Sequence, residues 1–145
     1  MKSIVQSSMM IEAEHIQILA GAYKPGAITI KLPFPPADLF PNRKNGLHWA
    51  VTNKVKTQYK SDCFYLTKSQ VKEFFWKEGD IRMTLIYVMP DKRHRDADNC
   101  LAASKAGLDG MADGLIVNDK RFQPITIYRV QGEKPGCLIV QLEMP

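Results

Sequence analysis

The chain has 145 residues, with 20 Lys and Arg against 15 Asp and Glu, three cysteines and 45% hydrophobic residues. That length suits one domain and leaves no room for a second full core, and 24% charged residues with nine Gly and nine Pro exclude wholesale disorder and collagen-like repeats. No apolar run approaches about 18 residues, so no membrane span and no membrane partner is expected. The first residues, MKSIVQSSMMIEAEHIQ, carry one Lys and no long apolar core. They make a poor signal peptide, and a cytosolic setting follows as the expectation. Cys63, Cys100 and Cys137 are scattered and never form a Cys-x-x-Cys pair, so they are read as reduced core thiols.

Residues 1–24 form an extension of uncertain structure, closed by a turn at Lys24, Pro25 and Gly26. Ala27 to Leu32 alternates and is β-branched, which predicts a strand. Pro33, Pro35 and Pro36 end it, since proline donates nothing to a ladder. Residues 37–48 are expected to be a loop. Trp49 to about Trp76 predicts one long helix or two joined ones, with Val51, Val55, Tyr59 and Cys63 stepping by four along one face. Ile81 to Met89 is a strand closed by Pro90. A polar loop follows, then an Ala-rich helix from Asn99 to about Met111, with Asp98 suited as N-cap and Gly114 as stop. Ile125–Val130 and Leu138–Leu142 are strands joined by a turn around Gly132 to Gly136. The order β-α-β-α-β-β predicts an α+β fold, a single domain with a small mixed sheet packed against two helices.

Charge is unevenly placed. Arg43 to Glu78 holds eight cations against three acids, which equals the net +5 of the whole chain. A local cationic element, with Lys56 and Lys60 on its lysine face, suits a polyanion, nucleic acid before membrane. Charge alone leaves a merely solvated helix face equally open. Trp49, Tyr59, Phe64 and Tyr65 are read as core, with stacking on bases as the alternative. His15, His48 and His94 lack metal-ligand spacing and are read as surface or loop residues.

The acids are more specific. Asp96 and Asp98 alternate where a strand end gives way to a helix, and Asp119 follows that helix. Such elements can converge at one edge of a small sheet, and three carboxylates there suit a hard cation such as Mg²⁺. An N-cap role for Asp98 and a turn role for Asp119 are the plainer alternatives. Lys92, Arg93 and Arg95 flank the first pair, and Lys120 and Arg121 follow the third acid. They suit bringing a phosphodiester to an anionic metal centre, or simple surface ion pairing.

The run from Tyr87 to Asn99, YVMPDKRHRDADN, resembles the signature of RusA-type Holliday junction resolvases: a strand ending in Pro-Asp, a basic run, then Asp-x-Asp-Asn. Lys105, an Asp-x-Leu-like turn at Asp109 to Met111, and Asn118 with Asp119 follow in the family's order. The strand ending at Pro35 and Pro36 and the loop of Pro41, Asn42, Arg43, His48 and Trp49 are also similar. The resemblance covers about residues 27–142, and it makes residues 25–145 a RusA-like endonuclease domain.

It implies a homodimeric, phage- or bacteria-encoded endonuclease that nicks branched, four-way DNA with Mg²⁺, Mn²⁺ being a substitute, and no small-molecule cofactor. Asp96, Asp98 and Asp119 become metal ligands, and Lys105 the assisting lysine. Lys56, Lys60, Lys92, Arg93, Arg95, Lys120 and Arg121 become DNA contacts. Two positions depart from the family: Asn118 replaces the first acid of its Asp-Asp pair, and Ala102 stands where its lysine commonly falls. A non-catalytic DNA-binding protein on the same scaffold is the alternative. For self-association the apolar strand Leu138–Leu142 is one candidate patch, against an ordinary core strand.

Overall fold

The computed structural model describes residues 27–72 and 76–144; the extension assigned to residues 1–24 lies outside them. The fold is α+β. Strand β1 (Ile28–Leu32) leads through a 3-10 turn (Ala37–Leu39) and a short helix α1 (Pro41–Lys44) to the long helix α2 (Trp49–Gln70). Strand β2 (Ile81–Met89) and helix α3 (Ala97–Leu115) follow, then a second 3-10 turn (Asp119–Arg121), β3 (Phe122–Gln131) and β4 (Cys137–Glu143).

The four strands form one mixed sheet in the order β1-β4-β2-β3, with β2 and β3 parallel and the other pairs antiparallel. β4 is therefore interior, with Leu138, Val140 and Leu142 buried. That corrects its candidacy as a self-association patch, because both of its edges are already paired. β3 and β4 are not neighbours either. Their connection crosses the end of β2, where Gly132 N–H donates to Met89 O at 3.0 Å. A Cβ on Gly136, whose φ is +71°, would lie 2.6 Å from Val88 O, so this crossing needs glycine.

Alternate residues of β2 face opposite ways. Ile81, Met83, Leu85 and Tyr87 join the main core with both long helices, whereas Ile86 and Val88 form a second cluster with Cys137 and Ile139. All three cysteines are buried and free, and burial pushes the Cys63 thiol up to about 12. Two polar contacts fasten α2 to β1. Gln70 accepts from Lys31 N–H and donates to Lys31 O, each at 2.7 Å, so its amide takes the place of a neighbouring strand along the sheet edge. Tyr59 Oη donates to Pro33 O at 2.7 Å.

The two long helices run parallel. Gly107 sits against Tyr59 and Cys63, Gly110 against Lys60 and Phe64, and Gly114 against Phe64 and Thr67, so residue numbers rise together along the interface. Glycines 107, 110 and 114 are packing residues inside α3. Gly114 is not its stop, and Asp109 to Met111 is helix, not turn. α2 ends at Gln70, short of the expected Trp76, where Val71 turns extended.

α3 ends at Ile116, which adopts φ +57° while Val117 N–H reaches back to Ala112 O at 3.0 Å. A β-branched residue in that left-handed conformation is strained, and Ile116 is 89% exposed, so little burial offsets the strain. Ile116→Gly is expected to raise stability by about 1 kcal/mol, read as a higher urea midpoint with unchanged slope.

Candidate active site

β2 delivers the chain at Met89, and residues 90–96 carry it to the start of α3. Asp96 takes the N-cap position, one turn-half earlier than the Asp98 cap expected from sequence, with extended φ −71° and ψ 151°. Its side chain makes no capping hydrogen bond; its Oδ1 lies 2.9 Å from His94 Nε2. Asp98 occupies the first turn of α3 and is exposed. Both carboxylates sit at the N-terminal end of α3.

The loop ahead of them is rigidly tied. The Arg95 guanidinium donates to Asp91 at 2.9 and 3.2 Å and lies 5.3 and 5.7 Å from the ring centroids of Phe34 and Phe40. Its side chain is 12% exposed. The Arg95 bond and then the Arg93 N–H bond hold the Asp91 carboxyl down at about 2, so it is ionised at neutral pH. From β3, Arg129 donates to Arg95 O and Gln131 to Asp91 O, each at 2.9 Å. Arg95, expected to contact DNA, is instead turned inward as a clamp between the acid loop and the proline-rich segment after β1. Charge in a sequence does not reveal which way a guanidinium points, and its aromatic partners lie more than fifty residues away.

Asp119 is placed differently from the sequence expectation. α3 runs back along the full length of β2, so the turn after it lies towards the opposite end of the sheet from Asp96. Asp98, Ala102, Lys105, Asp109 and Asp113 form the outward stripe of α3. Lys105, seven residues and about 10 Å of helix rise beyond Asp98, has Nζ 3.6 Å from Asp109 and 3.8 Å from Asp119. The three acids thus do not close on one point within a chain. Among the described residues no three His, Cys, Asp or Glu side chains gather to hold a metal. The exposed Asp96 and Asp98 still fit Mg²⁺, which keeps several waters and is commonly held by one or two carboxylates with substrate phosphates.

The remaining cations divide. Lys56, Lys92, Arg93 and Lys120 are exposed. Lys60 is shared with Asp113 at 3.6 Å. Arg121 donates to Gly79 O at 2.8 Å and to Lys77 O, which makes it a brace for the residues before β2. Asn118 Oδ1 accepts from Lys120 N–H at 3.0 Å and so caps the 3-10 turn, a task that needs no negative charge.

A cleft of about 670 Å³ opens beside the acid pair, lined by Asn42, Arg43, His94, Asp96 and Asn99 among others. His94, expected to be a surface or loop residue, and Arg43, expected only as part of the family-like loop, are neighbours of the site to which the sequence assigned no role there. The His-x-Asp spacing is the available signal for His94; for Arg43, which arrives from α1, the signal is the Pro41-Asn42-Arg43 run itself.

No protein-family model matches the chain. The chain is 29% identical over 120 residues to an uncharacterized protein of Xylella fastidiosa, covering 79% of this chain and 74% of that protein. It is 30% identical over 116 residues to the crossover junction endodeoxyribonuclease rusA of Enterobacteria phage HK97, covering 77% of this chain and 92% of the phage protein. With 92% of that enzyme matched at this identity, the chain belongs to the RusA family of crossover junction endodeoxyribonucleases.

Proposed function

We propose that this protein is a Mg²⁺-dependent, structure-selective endonuclease that resolves four-way DNA junctions as a twofold homodimer, a phage- or prophage-type recombination enzyme of the cytosol. The observation that carries the reading is the exposed carboxylate pair at the head of α3, in a chain that matches 92% of the phage enzyme. Asp96 and Asp98 would hold the metal, Mn²⁺ being able to replace it; Asp119, which within one chain stands by Lys105, would join them as the third acid when the DNA or a second copy of the chain brings it to the pair. Bound there, Mg²⁺ supplies a water of lowered pKa and positive charge against the anion that develops on phosphate.

The reaction is hydrolysis: a water oxygen bonds to phosphorus, one phosphorus–oxygen bond breaks, and the leaving oxygen takes up a proton. His94 orients Asp96 through their hydrogen bond, and the Arg95 clamp fixes the loop that carries both. Lys56, Lys92, Arg93 and Lys120 neutralise backbone phosphates around the cut, a contribution that weakens with salt for every form of DNA. A four-way junction has approximate twofold symmetry, and two nicks placed symmetrically require two sites; a C2 dimer provides them with one self-complementary surface.

Lys105 projects from the same stripe as Asp98 and stabilises charge on the scissile phosphate from Asp119's side. Lys105→Ala is expected to slow single-turnover cleavage about a hundredfold. Melting should barely move, because exposed ion pairs such as Lys105–Asp109 contribute little. A melting drop with normal cleavage assigns the lysine to structure.

One gel tests the function. A synthetic four-way junction, a linear duplex and a single strand are each incubated with Mg²⁺ or with EDTA. Paired nicks in the junction alone, and only with Mg²⁺, are the expected result. Light scattering at micromolar concentration should give twice the chain mass. The second reading, a DNA-binding protein without catalysis, is favoured by Asn118 and Ala102 at the family's acid and lysine positions; junction binding with no cleavage in either metal establishes it.

A further inference from the structure

Trp49 is 73% exposed. An indole left in water forgoes one of the largest burial gains available to a side chain, so its placement calls for a partner. It is the first residue of α2, and that start is fixed: His48 Nδ1 accepts from Ala50 N–H at 3.1 Å. The His48 and Trp49 ring centroids are 5.8 Å apart. Because α2 and α3 run parallel, Trp49 stands at the same end of the molecule as Asp96 and Asp98. Behind it on one stripe of α2 come Asn53, Lys56 and Lys60, at i+4, i+7 and i+11. Arg43, from α1 just before it, lines the cleft that Asp96 and Asn99 share.

We propose that Trp49 is a stacking platform for an unpaired nucleobase at the branch point of the DNA, and that it sets the preference for branched over unbranched DNA. This rests on the reading of the chain as a DNA endonuclease. The lysines attract every form of DNA alike, so they confer no structural choice. A stacking platform does confer one. Each base has a π-face, so stacking is indifferent to sequence, yet a base inside a continuous duplex must first leave its neighbours. That cost is least where pairing or stacking is already interrupted. Trp49 therefore adds affinity selectively at a branch, at the same end of the molecule as the carboxylates of the proposed site, while the lysine stripe holds the arm.

The experiment uses the full chain in EDTA, so that binding is read without cleavage. With Trp76 replaced by Phe, Trp49 is the sole tryptophan of the chain. Its emission is expected to be quenched by a four-way junction and by a single-stranded oligonucleotide, and not by unbranched duplex. Trp49→Ala is expected to weaken junction binding about tenfold with duplex binding unchanged, and Trp49→Phe to restore most of the loss. An unaltered ratio of junction to duplex affinity in Trp49→Ala overturns the proposal, as does unquenched emission with both the junction and the single strand. A change of mass in light scattering without a change in that ratio assigns Trp49 to contact between copies and also overturns it. Should the wild type not cut junctions at all, the single-strand quench still judges Trp49, so failure of the platform and failure of the nuclease reading are distinguishable.

Discussion

Asp98→Asn is expected to lower junction cleavage by at least about a thousandfold, since a metal site supplies several kcal/mol of transition-state stabilisation. Junction binding should stay intact or tighten. The substitution keeps the shape of the side chain and removes one negative charge that opposes DNA phosphate. Folding should hardly change: Asp98 is exposed in the first turn of α3, where its charge interacts with the helix dipole for about 0.3–1 kcal/mol. Single-turnover cleavage in Mg²⁺ and gel-shift affinity in EDTA separate the two effects. Cleavage at the wild-type rate by this variant removes the acid pair from the active site. Asp119→Asn bears on a different question, because in one chain Asp119 stands by Lys105 and not by the pair. Equal losses in the two variants place it in the metal site, and a partial loss matching that of Lys105→Ala makes it the lysine's anchor.

Much of this arrangement is legible in the residues. The interior strands announce themselves: Ile81–Met89 and Cys137–Glu143 are nearly continuous apolar runs, which marks strands buried on both faces. β1, with exposed Thr29 and Lys31 alternating with apolar residues, has the pattern of an edge. The strand order is less accessible, since β3 and β4 are separated by a short turn that suggests a hairpin, and only the close crossing at Gly132 and Gly136 over β2 shows otherwise.

The acids of the candidate site stand out by spacing, but their convergence did not follow from it. Taking Gly114 as a stop shortens α3 and lets its following loop swing back towards Asp96. The helix instead runs straight back along β2 to Leu115, and the chain then enters β3 with Phe122 beside Ile81, which leaves Asp119 at the far end of β2 from Asp96. Local sequence reports which residues are charged. It does not report which of them, like Arg95 between Phe34 and Phe40, are consumed in holding the others still.

The same misread glycines govern the largest expected change in stability. A Cβ on Gly110 would lie 2.1 Å from the carbonyl oxygen of Lys60 and 3.0 Å from its carbonyl carbon, both backbone atoms of α2. No side-chain rotation relieves such an overlap, so the helices must separate, and every pair packed between them loosens together. Overpacking of this kind costs typically about 1–3 kcal/mol, and more where backbone obstructs. Alanine's better helix propensity returns at most about 1 kcal/mol. Gly110→Ala should therefore destabilise by about 3 kcal/mol, which lowers the melting temperature by about 10 °C for a domain of this size. Gly46→Ala is the control: its new Cβ meets only Arg43 O, at 3.7 Å, an ordinary contact, and its effect should stay within about 0.5 kcal/mol. Thermal unfolding followed by circular dichroism ranks the two. A Gly110→Ala protein as stable as wild type means that α2 and α3 do not touch at Gly110, and with that contact goes part of the register that puts Trp49 at the same end of the molecule as Asp98.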